Sequence, residues 1–248
     1  MRNEDRINIA NLYSLYQCVA DNTEAAKIFS YDGFKVIKTE DSAWPNTVYD
    51  INTISFTDNF VKGIKAGMSE RGSGPVLFEP CEERVALYKQ NGILPADRWV
   101  GMVKNKLDAV ERSVNETEVR SIDDSEMAAW VKIVSDVLFG GKQLLTTVFT
   151  SLPKENNEYI ALWIDGEMVG TSMIHYDVAG NAGIYMVCVS EKHRGKGLGR
   201  TLIEYCYECV KKRGINSCVL QATQKGIPLY TSMGFESFGN YTLLMKLR

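Results

Sequence analysis

The clearest pattern of hydrophobic and polar positions lies in the second half of the chain. Residues 158–177 contain two runs in which apolar and polar residues alternate, and Asp165-Gly166 separates them, which is typical of a β-hairpin. Residues 184–189 are apolar on both faces, as in a strand buried in the middle of a sheet. Along residues 198–210 the apolar side chains recur every four positions, and Gly214 follows them, which predicts an amphipathic helix.

Shorter patterns predict the elements on either side of these four. They are a strand at 116–122, a helix at 125–141 capped by Asp123 or Asp124, a looser helix at 143–152, a strand at 217–222, a short helix at 226–234 and a terminal hairpin at 236–248. The order of elements predicts an α/β (α+β) fold in which helices flank a mixed, mostly antiparallel central sheet.

The first half of the chain ends in a segment similar to the last one. Leu87–Lys104 aligns without a gap with Leu229–Lys246, and the alignment places Trp99 over Tyr241. A strand at 47–51, a helix at 58–68 and a strand at 75–79 fit the same series. We therefore predict an internal duplication, with a degenerate lobe at 1–112 and a second domain at 113–248.

Composition narrows the class of protein. In 248 residues, 45% are hydrophobic and 24% are charged, which are ordinary globular values, and the net charge is −3, which argues against a general nucleic-acid binder. The sequence contains no run of about 18 apolar residues that could span a membrane, so we expect a cytoplasmic protein. We also expect it to be a monomer or a homodimer. Cys206 and Cys209 form a C-x-x-C, but there is no second pair and there are only two histidines, so we expect no metal.

Three glycines alternate with a basic residue and a leucine where the buried strand gives way to the long helix. They are Gly195, Gly197 and Gly199, and Arg194, Lys196 and Arg200 surround them. A helix N-terminus has unpaired N–H groups, and glycines before it let the backbone approach an anion, usually a phosphate. The alternative is a tight surface turn. Neither the P-loop nor the dinucleotide-binding pattern fits this segment.

Arg194-Gly195-Lys196-Gly197-Leu198-Gly199 resembles the pyrophosphate loop, [QR]-x-x-G-x-[GA], of the GCN5-related N-acetyltransferases (GNAT). The resemblance covers about residues 117–248. It implies a GNAT fold, acetyl-CoA as co-substrate and a tyrosine on a later short helix as the proton donor, which is Tyr230 ahead of Met233-Gly234-Phe235. The cofactor-binding residues that it implies are Val187, Cys188, Val189, Arg194, Gly195, Lys196, Gly197, Leu198, Gly199, Arg200 and Thr223.

Two positions depart from the family pattern, and they leave one contact and the general base open. Thr223 stands where many members have an asparagine that contacts the cofactor arm, and Cys218 stands where some have a glutamate base. His175 is our candidate base because its side chain titrates near neutrality. The alternatives are Asp177, Glu158 and Tyr185. A covalent route through Cys188 is conceivable, but its apolar neighbours favour a buried, inert thiol.

These features predict an acetyl-CoA-dependent N-acetyltransferase that acetylates a primary amine of a small molecule by direct attack in a ternary complex. The alternatives are acetylation of a protein N-terminus or lysine, and a non-catalytic acyl-CoA-sensing module. In the first half, Thr57-Asp58-Asn59 stands where a loop would be expected, without arginine or glycine, so we expect no coenzyme there. Trp44, Trp99 and the acidic residues Glu79, Glu82 and Glu83 are candidates for the wall of an acceptor pocket.

Overall fold

A computed structural model describes the backbone of residues 3–51, 57–68, 76–78, 82–108 and 117–246. The helices are α1 (Asn3–Asn22), α2 (Asp58–Gly67), α3 (Glu82–Gln90), α4 (Met127–Leu138), α5 (Thr146–Thr150), α6 (Leu198–Lys212) and α7 (Ile227–Ser232). The strands are β1 (Ala26–Tyr31), β2 (Phe34–Thr39), β3 (Thr47–Tyr49), β4 (Val76–Phe78), β5 (Ile93–Lys104), β6 (Thr117–Ser121), β7 (Asn157–Ile164), β8 (Glu167–Tyr176), β9 (Ala182–Val189), β10 (Cys218–Thr223) and β11 (Glu236–Lys246). None of these described helices combines the length and apolarity that crossing a membrane requires.

One large sheet joins both halves of the chain. Among the described residues, eight strands lie in the order β4-β11-β5-β10-β9-β8-β7-β6, and β1, β2 and β3 form a separate antiparallel sheet. All neighbours in the large sheet are antiparallel except β9 and β10, which are parallel. The mixed, mostly antiparallel sheet flanked by helices is therefore confirmed.

The two faces of the large sheet carry different helices because neighbouring residues of a strand point to opposite faces. On one face, α6 buries Leu202, Ile203 and Cys206 against Ile174 and other residues of the strands. The other face packs against α1, α4 and α5, with Trp130 at its centre. The Trp130 indole donates a hydrogen bond of 2.9 Å to the Ile160 carbonyl, so this large residue is buried without an unpaired N–H group.

Most elements of the second half agree with the sequence pattern, but the terminal hairpin is wrong. Residues 236–246 form one strand that pairs along its length with β5, and register shifts near Ser237 and Leu243 take up the irregular positions. The sequence pattern predicted no element before residue 47, where α1, β1 and β2 lie. The segment Glu70–Pro75, read as a turn, and the side chains of Glu79, Glu82 and Glu83 lie outside the described residues.

The aligned segments of the two halves meet in the middle of the large sheet. Strands β5 and β11 are antiparallel, and Trp99 lies directly opposite its sequence equivalent, Tyr241. Equivalent residues that face each other in this way define a local two-fold axis. Strand β10 lies outside β5, and β4 lies outside β11, so each half places its last strand beside the other half's next-to-last strand. This exchange supports the predicted duplication, and the boundary at 112/113 stays a prediction.

Buried amides attach the N-terminal helix to the sheet. The Asn8 amide donates to the Leu220 carbonyl at 2.9 Å and accepts from the Tyr241 hydroxyl at 2.6 Å and the Gln221 amide at 2.7 Å. Asn11 donates to Asp177 at 2.9 Å and accepts from the Tyr185 hydroxyl at 2.7 Å. Because buried polar groups stabilise only when they are paired, these contacts fix the position of α1 over β9 and β10.

We predict that Gly101→Ala lowers the free energy of unfolding by about 1–3 kcal/mol, the usual range for overpacking a filled core. A Cβ at Gly101, in the middle of β5, would lie 2.7 Å from the Phe238 ring and 2.9 Å from the Tyr241 ring. Urea denaturation of purified protein measures the change.

Gly63→Ala is the matched control for this substitution. At Gly63, on α2, a Cβ would lie 3.7 Å from the Phe34 ring, which is an ordinary contact. This change should be neutral or stabilising by up to about 1 kcal/mol because alanine favours a helix. Equal effects of the two substitutions would contradict the close approach of β11 to β5.

Candidate active site

The site begins where β9 and β10 separate. These parallel strands pair only at Ala182 with Cys218 and at Gly183 with Val219, although both continue for several residues. Beyond Gly183, β9 stays paired with β8 as far as Val189. The edge of β9 that faces β10 is therefore open, and an extended ligand with amide groups can pair with it as another strand would.

A bulge in β9 accompanies this separation. The β8–β9 register shifts between Thr171 and Met173, and Met186 has a φ of 50°. The Met186 carbonyl accepts a hydrogen bond from the Thr171 hydroxyl at 2.9 Å. The Ser190 N–H donates to the Val169 carbonyl. Since alternate residues of an antiparallel ladder turn their groups to opposite edges, the Val189 N–H points toward the open side.

The glycine-rich loop carries a row of free backbone amides. None of the five N–H groups of residues 195–199 donates a hydrogen bond to another described residue. Gly195 and Gly197 have φ values of 76° and 80°, and no atom lies within 4 Å of a Cβ placed on either residue. These features fit a pyrophosphate, because successive free N–H groups at a helix start form an anion-binding concavity.

The three cations of the loop have different surroundings. Arg194 donates through Nε to the Val189 carbonyl at 3.2 Å, and Arg200 donates through Nη2 to the Ser232 hydroxyl at 2.9 Å. Arg200 therefore ties α6 to α7 as well as adding charge. Lys196 is exposed. All three cations lie within six residues of the free amides, so the loop carries positive charge as well as hydrogen-bond donors.

Tyr230 lies on α7 with its side chain 8% exposed. Its ring packs against Phe235 with centroids 5.6 Å apart, and its hydroxyl forms no hydrogen bond with any described residue. Burial raises the pKa of Tyr230 well above its usual value of 10. The hydroxyl therefore keeps its proton at neutral pH and is available as a donor.

A cavity of about 550 Å³ connects the open strand edge with the first half of the chain. Val187, Thr223 and Tyr230 line it. The cavity therefore brings together a residue of the open edge of β9, the last residue of β10 and the candidate proton donor. The lining from the first half comes from α1, from the β2–β3 connection and from β5, and it includes Trp44 and Trp99. A cavity of this size suits a small ligand.

The cavity does not include His175, the candidate base. Its side chain is 2% exposed, and its Nδ1 lies 2.9 Å from the Asn157 Oδ1 and its Nε2 3.0 Å from the Ser14 hydroxyl. Because an amide oxygen only accepts, Nδ1 carries the proton and Nε2 accepts from Ser14. Burial lowers the pKa of His175 from 6.5 to about 4. The residue is thus neutral and fully paired inside the core.

The other candidates for proton or acyl transfer are also engaged in the protein. Glu158 accepts from the Ser121 hydroxyl at 2.6 Å, and Asp177 accepts two backbone N–H groups of the β8–β9 turn. Tyr185 lines the cavity, but its hydroxyl donates to Asn11. Cys188 is 6% exposed beside Thr171, and burial raises the pKa of its thiol to about 11.

Sequence reasoning missed the part of the cavity that comes from α1 and from the end of α4. These lining residues are Leu12, Leu15, Tyr16, Leu138 and Phe139. Any amphipathic helix has such side chains, and no local motif distinguishes those that face a cavity from those that face the core. Only the position of α1 over β9 reveals them.

An open strand edge, a loop of free amides and cations, and a buried tyrosine at a shared cavity together suit a phosphate-bearing acyl donor. Comparison with known proteins gives the family. Residues 125–235 match the model of the Acetyltransferase (GNAT) family, so this part of the chain is a GNAT acetyltransferase domain. Acetyl-CoA is the co-substrate of that family.

Individual relatives agree with this assignment. "Histone acetyltransferase TAP1" of Glycine max is 24% identical over 207 residues, which is 77% of this chain and 84% of that protein. "Probable N-acetyltransferase family 8 member 5" of Mus musculus is 31% identical over 62 residues, 24% of this chain and only 27% of that protein's length. The solved GCN5-related N-acetyltransferase of Kribbella flavida superposes with a TM-score of 0.67 at 16% identity and covers 100% of this chain and 97% of that one, which shows the shared fold.

We predict that Gly197→Asp abolishes the thermal stabilisation that coenzyme A gives the protein. The substitution puts a carboxylate beside the free amides, where it repels the pyrophosphate and blocks its approach. A thermal-shift titration with coenzyme A measures the effect, because a ligand that binds only the folded state raises the melting temperature.

Gly180→Asp is the matched control for the loop. Gly180 lies in the β8–β9 turn with a φ of 81°, and no atom lies within 4 Å of a Cβ placed there. The backbone strain of an aspartate is thus the same at both positions. The control should keep the stabilisation by coenzyme A, and an unchanged stabilisation in Gly197→Asp would contradict the assignment of the loop.

The buried His175 predicts a stability change at mildly acidic pH. Its folded pKa of about 4 lies below the unfolded value of 6.5, so the unfolded chain takes up the proton first as the pH falls. At 1.36 kcal/mol per pKa unit, wild type loses about 3 kcal/mol through this group between pH 6.5 and pH 4. His175→Gln should be less stable than wild type at pH 7 but lacks this loss. The difference in free energy of unfolding between the two proteins, measured by urea denaturation, should therefore shrink as the pH falls. A difference that stays constant would contradict the buried neutral imidazole.

Proposed function

We propose that this protein transfers the acetyl group of acetyl-CoA to a primary amine of a small molecule, by direct attack of the amine while both substrates are bound. The observation that carries the proposal is the single cavity that joins the open edge of β9, the Tyr230 hydroxyl and the aromatic residues of the first half. A cavity of about 550 Å³ suits a small acceptor better than the surface of a folded protein.

Acetyl-CoA supplies the acetyl thioester when it is bound. The free amides of residues 195–199, together with Arg194 and Lys196, are proposed to hold its pyrophosphate. The open edge of β9 at Val187, Cys188 and Val189 pairs with the amides of its pantetheine arm, and the Thr223 hydroxyl contacts that arm from β10. Each charge-assisted hydrogen bond to the pyrophosphate contributes about 1.5–3 kcal/mol.

Two groups of the chain act on the reacting atoms in this proposal. The Val189 N–H stabilises the negative charge that grows on the thioester carbonyl oxygen as the amine attacks. Once the carbon–nitrogen bond has formed, the carbon–sulfur bond breaks and the Tyr230 hydroxyl gives its proton to the sulfur. The nitrogen then loses its second proton, which returns through water to Tyr230. His175 has no part in this scheme, because both of its ring nitrogens are paired in the core away from the cavity.

The proposal assigns the removal of the amine proton to water at the cavity edge. An amine of pKa about 10.4 is neutral in only about one molecule in a thousand near pH 7.4, so the proton must leave before attack. Asp97 is the only acidic residue among the described lining residues, and it is exposed. The Asp97 carboxylate favours the charged form of an ammonium group beside it, so the amine loses its proton to water after it leaves Asp97 and before it reaches the thioester.

We predict that Tyr230→Phe lowers kcat by about 10²–10⁴-fold, the usual contribution of a positioned acid, and leaves the affinity for coenzyme A within twofold. Release of coenzyme A, followed with a thiol reagent, measures turnover, and calorimetry measures affinity. Because burial holds the pKa of Tyr230 far above 10, wild-type kcat should not fall from ionisation of this group up to pH 10.

Tyr207→Phe is the matched control for Tyr230. The Tyr207 hydroxyl is sealed in the core of α6 without a hydrogen-bond partner, and Tyr207 does not line the cavity. Its removal should leave turnover unchanged. Equal turnover of wild type and Tyr230→Phe would remove Tyr230 from the mechanism, and tight binding of acetyl-CoA without turnover on any amine would favour an acyl-CoA sensor.

A further inference from the structure

We propose that the part of the cavity formed by the first half and the end of α4 is the acceptor subsite, that it takes a monoamine with an aromatic or otherwise apolar body, and that the Tyr16 hydroxyl hydrogen-bonds this acceptor. This inference rests on the proposed function and specifies its substrate class.

Tyr16 is the residue that points to a ligand. It lies on α1, lines the cavity and is 4% exposed, and its ring packs on Tyr49 with centroids 5.2 Å apart. Its hydroxyl forms no hydrogen bond with any described residue. A ligand in the cavity that hydrogen-bonds this hydroxyl supplies the partner that the described residues do not, and so gains affinity.

Two of the tyrosine hydroxyls near Tyr16 have partners within the protein. The Tyr13 hydroxyl, one turn earlier on α1, accepts a hydrogen bond of 3.1 Å from the Asp50 N–H. The Tyr185 hydroxyl donates to Asn11 at 2.7 Å. Tyr207 also lacks a partner, but its hydroxyl is sealed in the core, whereas Tyr16 borders a cavity large enough for a ligand.

Most of the wall in this part of the cavity is apolar, with Asn46 and Thr47 as uncharged polar residues. Leu12 and Leu15 come from the same helix, Trp44 comes from the β2–β3 connection, and Leu138 and Phe139 come from the end of α4. Trp44 stacks on Phe149 at a centroid distance of 5.4 Å and an interplanar angle of 12°, which fixes its ring. Rigid aromatic walls bind flat apolar groups with little loss of side-chain freedom.

The charges in the cavity limit the acceptor to one ammonium group. Asp97 is the only acidic residue in the described lining, and that lining contains no lysine, arginine or histidine. A polyamine would place its further charges against apolar walls, where unpaired charge is costly. An acidic acceptor would find no cation. Burial raises the pKa of Tyr16 well above its usual value, so its hydroxyl stays neutral.

An amine panel tests the substrate class. The probes are 2-phenylethylamine and tryptamine as aromatic monoamines, spermidine as a polyamine and a short lysine-containing peptide, each with acetyl-CoA and wild-type protein. We expect kcat/KM for the aromatic monoamines to exceed that for spermidine and the peptide by at least tenfold. Calorimetric binding of each amine to the complex with coenzyme A gives a second reading that does not depend on turnover.

Tyr16→Phe tests the role of the hydroxyl, with Tyr13→Phe as its matched control on the same helix. In Tyr16→Phe we expect kcat/KM for the preferred amine to fall about tenfold or more, while the coenzyme A affinity and the melting temperature are maintained. A purely structural hydroxyl would lower the melting temperature and leave the KM for the amine unchanged. Tyr13→Phe should leave kcat/KM within twofold.

The outcomes separate the subsite from the reaction. Coenzyme A release with spermidine or the lysine peptide, but not with the aromatic amines, would overturn the subsite and leave the acetyltransferase proposal standing. Binding of aromatic amines without coenzyme A release would support the subsite and overturn the proposed reaction. If no aromatic amine binds and none causes release of coenzyme A, the subsite is overturned, whether or not other amines are acetylated.

Discussion

The separation of β9 from β10 is the constraint on which the rest of the site depends. Two residue pairs hold these strands together, and the bulge at Met186 then accompanies their divergence. In a continuous parallel pair, the groups on that edge of β9 would be used by the sheet itself. Because they are not, the same strand supplies an extended binding edge, leads into the glycine loop and borders the cavity. One interruption in pairing thus sets the positions of the candidate donor and acceptor sites together.

The first half of the chain supplies strands and a helix that complete the sheet and the cavity of the GNAT domain. Strand β5 covers the free edge of β10, and helix α1 lies over β9 and β10, held by the buried amides of Asn8 and Asn11. Those amides hold the apolar side of α1 in place beside the cavity. The N-terminal half therefore acts through its contacts with the sheet, although its own Thr57-Asp58-Asn59 segment lacks the glycines and arginine of the loop in the second half.

The sequence predicted those features that local chemistry determines. The Asp165-Gly166 turn forms because both residues adopt positive φ, and the spacing of glycines and cations predicted a loop whose amides are indeed free. Long-range pairing was not predictable in the same way. Residues 236–246 carry turn-like Gly239-Asn240, yet β5 and β4 pair on either side of this segment and keep it extended. His175 is titratable by residue type, and only its burial beside Asn157 and Ser14 shows that it is neutral and paired.

The local two-fold axis between β5 and β11 gives the chain the arrangement of a strand-swapped dimer fused into one polypeptide. In such a fusion, neither copy retains a complete sheet of its own, because each contributes a strand that the other needs. A chain built in this way needs the framework of both copies, whichever copy holds the ligand site. For the predicted duplication, this interdependence gives a physical reason to keep a lobe without its own glycine loop: that lobe supplies strands to the shared sheet and part of the cavity wall.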